Sequence, residues 1–139
     1  MQYKKFNNKI FIRVDKGEEI VESIKKICNE SNVKLGMVTG LGAANKIVLG
    51  LFETETKKYL SQEFKGDYEL CPVYGNITTI DGNIYLHCHA NIAGVDHKSY
   101  AGHLTSARVS ATFEGVIDIF DGTLEREFSD DIGLNLLKF

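Results

Sequence analysis

Apolar and polar positions change period several times along the chain. From Lys9 to Val14, Ile10, Ile12 and Val14 alternate with Phe11 and Arg13, the period-two pattern of a half-buried strand. Asp15 and Glu18 then form an Asp-x-x-Glu start signal, which predicts a helix running to about Ser31. Ile20, Ile24, Ile27 and Cys28 fall on one face of it with Val21 at the edge, while Glu22 and Lys26 sit four apart on the wet side.

Beyond Asn32 no second helical period appears. Val33–Leu41 and Lys46–Glu53 read as two glycine-containing strands joined by Gly42-Ala43-Ala44-Asn45. Lys57–Phe64 reads as a strand, Lys65-Gly66-Asp67 as a turn, and Tyr68–Ile80 as a longer strand with Pro72 at an edge or bulge. Asp81-Gly82 marks a two-residue hairpin turn, because both central residues need positive φ, and Asn83–Ile92 returns from it. Arg108–Phe120, the turn Asp121-Gly122, its partner Thr123–Phe128 and an apolar tail Ile132–Phe139 complete the pattern. One early helix followed by turn-linked strands predicts an α+β fold with a largely antiparallel sheet and a single domain over residues 1–139. The crossover helices of a parallel sheet are missing.

The strand Asn83–Ile92 divides cleanly into two faces. Ile84, Leu86, Cys88, Ala90 and Ile92 are apolar; Asn83, Tyr85, His87, His89 and Asn91 are polar or amphipathic. A two-residue turn at Asp81-Gly82 sets Ile80 opposite Asn83, Thr78 opposite Tyr85, Asn76 opposite His87 and Tyr74 opposite His89. Directly opposed residues share a face. Tyr74, Asn76, Tyr85, His87 and His89 are therefore expected to form one polar, aromatic surface.

Composition sharpens this picture at one place. All four histidines of the 139-residue chain lie between His87 and His103. Two imidazoles on one strand face, with His103 arriving from a separate element after Gly102, make the donor set of a zinc site with an open fourth position. The competing reading is a sheet surface whose histidines are merely solvated or line a subunit contact. His97, between Asp96 and Lys98, reads as an exposed loop residue, and Cys88 as core. Glu114, on the polar side of Arg108–Phe120, is a candidate fourth ligand, orienting partner or general base if that strand neighbours His87 and His89. Tyr74 is a second candidate for proton transfer, and Arg126 for holding an anion.

Charge and cysteine usage bound the partners. The net charge is −3, without the basic excess that neutralises nucleic-acid phosphates. No apolar run approaches the ~20 residues of a membrane helix, and the polar start Met1–Lys9 is unlike a secretory leader. Cys28, Cys71 and Cys88, odd in number and far apart, fit reduced thiols and a cytoplasmic location. Gly40-Leu41-Gly42-Ala43-Ala44-Asn45 resembles a dinucleotide loop but leads into strand-like Ile47-Val48-Leu49, so it reads as a tight connection.

One family carries this order of residues. Gly17-Glu18-Glu19-Ile20, Gly40-Leu41-Gly42-Ala43, Tyr59, Gly66, Glu69-Leu70 and Gly75-Asn76-Ile77 come first. Asp81-Gly82, Leu86-His87-Cys88-His89-Ala90, Gly102-His103-Leu104, Glu114, Arg126 and Gly133-Leu134 follow. Together they resemble the plants-and-prokaryotes-conserved (PPC) domain over nearly the whole chain. The resemblance implies an α+β fold and a homotrimer. Plant members add an Arg-Gly-Arg-containing AT-hook; its absence here resembles the stand-alone prokaryotic type, whose members are often labelled as DNA-binding. Many members have Gly-Gly-His where this chain has Ala101-Gly102-His103. A more distant similarity in fold to α-acetolactate decarboxylase, which holds zinc with three histidines, points by motif to His87, His89 and His103. The readings that stand are a trimeric binding or regulatory module, a Zn²⁺-dependent enzyme on a small polar or carboxylate-containing molecule, and a purely structural histidine cluster. A small molecule, a partner protein, DNA and the chain itself are the partners they imply; a membrane is not.

Overall fold

The computed structural model describes residues 1–139. Its elements are β1 (Gln2–Phe6), β2 (Lys9–Asp15), α1 (Ile20–Glu30), β3 (Gly36–Glu53), β4 (Lys58–Ile80), β5 (Asn83–Ala93), β6 (Ser99–Ile119), β7 (Arg126–Ser129) and β8 (Leu134–Leu137). The fold is α+β, as the sequence predicts. Six strands form one antiparallel sheet in the order β1-β2-β6-β3-β4-β5, and β7 and β8 pair in a second, two-stranded one. The first end of β6 also pairs with β5, so β3, β4, β5 and β6 close into a ring.

The helix starts later than the Asp15/Glu18 signal implies. Glu19 is its N-cap, accepting from the Glu22 backbone N–H at 2.7 Å, while Glu18 accepts from the Asp15 N–H at 2.9 Å and closes the preceding turn. Gly17, at φ +89°, shapes that turn. The predicted apolar face is the one buried: Ile20, Ile24, Ile27 and Cys28 have no exposure. It packs on β5 and β6 within a core of 25 residues that includes Phe113, Ile117, Cys88 and Ile92. No helix is long and apolar enough to cross a membrane.

The strands are longer and fewer than the sequence suggests. Gly42-Ala43-Ala44-Asn45 is not a connection; β3 runs through it, with register shifts against β4 between Gly40 and Gly42 and between Ala44 and Lys46. Lys65-Gly66-Asp67 is likewise absorbed into β4 as an irregularity facing the second of these shifts. Bulges bend a strand without ending it, so they carry the same glycine signature as a turn. Pro72 does sit at a bulge, where the β4–β5 register shifts between Leu70 and Val73.

Two further differences concern β6. It begins at Ser99, so His103 does come from an element separate from the His87/His89 strand, but that element is the strand that also carries Glu114. The Asp121-Gly122 hairpin does not form. Near Ile119 one edge of β6 is already paired with β2 and the other with β3, leaving no edge for a returning strand. The chain instead crosses to β4, where the Thr79 N–H donates to the Leu124 carbonyl at 3.1 Å, and β7 then pairs with β8 from the apolar tail.

Candidate metal centre

The Asp81-Gly82 turn has both central residues at positive φ, +49° and +75°. The register it sets is the expected one: Ile80 opposite Asn83, Thr78 opposite Tyr85, Asn76 opposite His87 and Tyr74 opposite His89. On the far side of β5, His89 pairs directly with His103 of β6. Three imidazoles from two adjacent strands therefore meet on one face. Their ring centroids are 5.2 Å (His87–His89), 5.3 Å (His87–His103) and 5.7 Å (His89–His103) apart. One nitrogen from each lies within 4.8 Å of the others.

The surroundings of His87 and His103 favour the neutral, ligand-competent form. Burial pushes the His103 pKa down to about 4, helped by His87 and His89. His87 is also lowered, by burial first and then by the charges of Arg126 and His89. A neutral imidazole has a free lone pair at one ring nitrogen for a metal. The donor set is all nitrogen with no carboxylate, which suits Zn²⁺ and its transition-metal neighbours and disfavours Mg²⁺ or Ca²⁺.

Aromatic and polar groups frame the three rings. Tyr59 packs edge-on against His103 with centroids 5.6 Å apart, and Phe52 backs Tyr59 at 6.3 Å. Gly50, opposite both His103 and the neighbourhood of Tyr59, makes this packing available, because a Cβ there would overlap the Tyr59 ring. Burial raises the Tyr59 pKa, with a smaller contribution from Tyr85. Arg126 lies against the Tyr85 ring, 4.7 Å from Cζ to centroid. It donates from Nε to Thr78 Oγ1 at 2.9 Å, from Nη2 to Asn76 Oδ1 at 2.8 Å and from Nη1 to the Asn135 carbonyl at 2.8 Å.

The candidate residues thus separate. Tyr74 lies across from His89 on the histidine face. Arg126 is buried close to His87 rather than paired at the surface. Glu114 is elsewhere: it faces Arg13 of β2 and Leu41 of β3 and lines a separate cleft of about 740 Å³ with Tyr3, Phe11 and Pro72. Across the sheet it is three strands from His89, by way of Leu41 in β3 and the Pro72 bulge in β4, roughly 15 Å at about 4.8 Å per strand. His97 is exposed in the turn before β6, and Cys88 is buried in the core. The alternation of β5 and its turn points to Tyr74, Asn76 and Thr78 but not to Tyr59. It comes from β4 beyond the bulge, and its signal was only its place in the family pattern.

An antiparallel sheet carrying one helix, with three imidazoles together on its polar face, defines an α+β domain with a candidate metal centre. The chain belongs to a known family: residues 1–121 match the Plants and Prokaryotes Conserved (PCC, also written PPC) domain. It is similar to a Bacteroides thetaiotaomicron structure described as a candidate DNA-binding protein, at 31% identity and TM-score 0.97, covering 99% of this chain and 96% of the other. A metal-containing protein of Archaeoglobus fulgidus is 26% identical with TM-score 0.88, covering 100% and 99%. A plant- and prokaryote-conserved protein of Pyrococcus horikoshii is 25% identical with TM-score 0.87, covering 99% and 94%. No curated protein is a significant match.

Proposed function

We propose that the protein is a single-domain, homotrimeric binding module whose centre at His87, His89 and His103 holds one divalent transition metal ion, Zn²⁺ first among them. The observation that carries this is the convergence of three imidazole nitrogens within 4.8 Å on paired strands. The metal-containing description of the Archaeoglobus relative supports it. Bound there, the ion would keep an open position facing solvent and act as a Lewis acid toward a ligand. His89 is the exposed member of the three, Tyr74 lies across from it, and Tyr59 packs against His103.

Self-association is supported by exposed apolar groups around the cleft that holds Glu114. Tyr3, Phe11 and Leu41 are 41, 51 and 62% exposed there, a patch that a subunit contact would cover. Its test is sedimentation equilibrium, with three chains per particle expected. Three unpaired cysteines support a cytoplasmic setting. DNA is a partner only through the description of relatives, and a net charge of −3 gives it no electrostatic support. A salt-sensitive affinity for mixed-sequence duplex would add it.

A second reading, a zinc-dependent enzyme on a small carboxylate-containing molecule, is favoured by Arg126 and Tyr74 beside the same centre. Within one chain Tyr74 lies nearer the centre than Glu114, which is three strands from His89. Elemental analysis of untagged protein tests the foundation of both. About one equivalent of transition metal per chain is expected, lost in the His87→Ala/His89→Ala variant. Protein that carries none and takes up none would remove the metal centre.

A further inference from the structure

We propose that the face between the three histidines and Arg126 is a receptor for a small organic carboxylate, which binds with one end toward the metal position and the other on the guanidinium. The full form of this rests on the metal reading above; the Arg126 half stands on its own geometry.

Arg126 is 8% exposed, and a guanidinium keeps its proton under ordinary conditions. A buried cation is costly unless a counter-charge accompanies it. None does here. Its three acceptors, Thr78 Oγ1, Asn76 Oδ1 and the Asn135 carbonyl, are all neutral. The carboxylates beside it in sequence are engaged elsewhere. Glu125 accepts from Thr79 Oγ1 at 2.5 Å, and Glu127 pairs with Lys138 at 3.1 Å. Of the five guanidinium N–H groups, three are used; one on each terminal nitrogen is left without a partner.

The position of this cation ties it to the histidines. Asn76, which takes one of its hydrogen bonds, lies directly across from His87, and Thr78, which takes another, lies across from Tyr85. Arg126 is therefore one side chain from the nearest imidazole. A divalent ion on three neutral imidazoles adds two positive charges to that of Arg126, and no protein carboxylate belongs to the set. The missing negative charge is left for the ligand to bring. The two remaining N–H groups can hold one oxygen of a carboxylate, leaving its second oxygen or an adjacent carbonyl for the metal position. The rings of Tyr59, Tyr85 and Phe52 wall the same face, which favours an acid with a carbon skeleton over inorganic phosphate.

The test uses the whole protein and compares isobutyrate, its neutral isostere isobutyramide, and inorganic phosphate. In metal-free protein, isobutyrate is expected to shift the Arg126 Nε–H resonance and isobutyramide to leave it in place. In Co²⁺-loaded protein, the visible cobalt bands should respond to isobutyrate at a concentration at least tenfold below that needed for the amide. Arg126→Met should erase that preference at unchanged cobalt stoichiometry, and Arg126→Lys, which keeps the charge, should retain part of it. Equal binding of acid and amide by the wild-type protein would overturn the receptor whether or not the variants fold. Tighter binding of phosphate than isobutyrate would overturn the carboxylate assignment. If cobalt fails to bind while isobutyrate still moves the Arg126 signal, the metal reading falls and the anion site stands. If cobalt binds and the acid has no effect, the metal stands and the receptor falls.

Discussion

Replacing His87 and His89 together with alanine leaves His103 as the sole imidazole of the centre, and one imidazole does not hold Zn²⁺ against water and buffer. The effect has a calculable thermal signature. A ligand that binds only the folded chain stabilises it by RT ln(1 + [L]/Kd), about 2.7 kcal/mol at a hundredfold excess over Kd. Unfolding entropy near 60 °C is about 2.1 cal/mol/K per residue, so a chain of 139 residues carries roughly 0.3 kcal/mol per kelvin. Zinc at that excess should therefore raise the wild-type melting temperature by about 9 °C relative to chelator-treated protein. The double variant should show almost none of this rise. Both substitutions are on the solvent side of β5, opposite the buried Cys88 and Ala90, so the variant should fold with its core unchanged. Melts followed by circular dichroism, with and without zinc, provide the comparison. Equal zinc-induced shifts in both proteins, or no shift in the wild type, would refute the assignment of these imidazoles.

Three further outcomes follow from the same geometry. Gly50→Ala should force Tyr59 off the His103 ring and lower zinc affinity roughly 10- to 100-fold, the usual cost of disturbing a ligand's support, as measured by competition with a chromophoric chelator. Without metal, stability should fall as the pH drops from about 6.5 toward 4. The unfolded chain binds protons there that the folded state, with His103 held down to about 4 and His87 also lowered, resists; urea midpoints across that range check the sign, and a flat profile would contradict it. Cys71 is exposed, whereas burial drives Cys28 and Cys88 up to about 12, so a thiol reagent at pH 8 should titrate one thiol per chain quickly and the other two only after denaturation.

The parts of this molecule legible in its sequence are those set by local periodicity. The apolar face of α1 and the two-faced character of β5 follow from side-chain direction alone. The Asp81-Gly82 turn then transfers that alternation to β4, so Tyr74, Asn76 and Thr78 could be placed without any long-range information. What the sequence hides is strand continuity. Gly42–Asn45 and Lys65–Asp67 have turn composition, yet matching register shifts in β3 and β4 let both strands pass through. Ser99–Gly102 shows no alternation and so predicts a loop, yet pairing with β5 makes it strand. His103 and Glu114 therefore share β6, and β3 and β4 lie between Glu114 and the histidine strand. Nothing local announces the burial of Arg126; its shelter combines nearby β8 with Asn76, Thr78 and the Tyr85 ring, which are distant in sequence.

The five pairs from His89↔His103 to Ala93↔Ser99 are all that join β5 to β6. His89 and His103 are the first of them. Whatever loosens this short seam carries one imidazole away from the other two, and whatever ligates all three fastens the ring of strands shut. Metal binding at the three imidazoles would thus be coupled to closure of this ring, and hydrogen exchange at the Ser99–His103 amides with and without metal would measure that coupling.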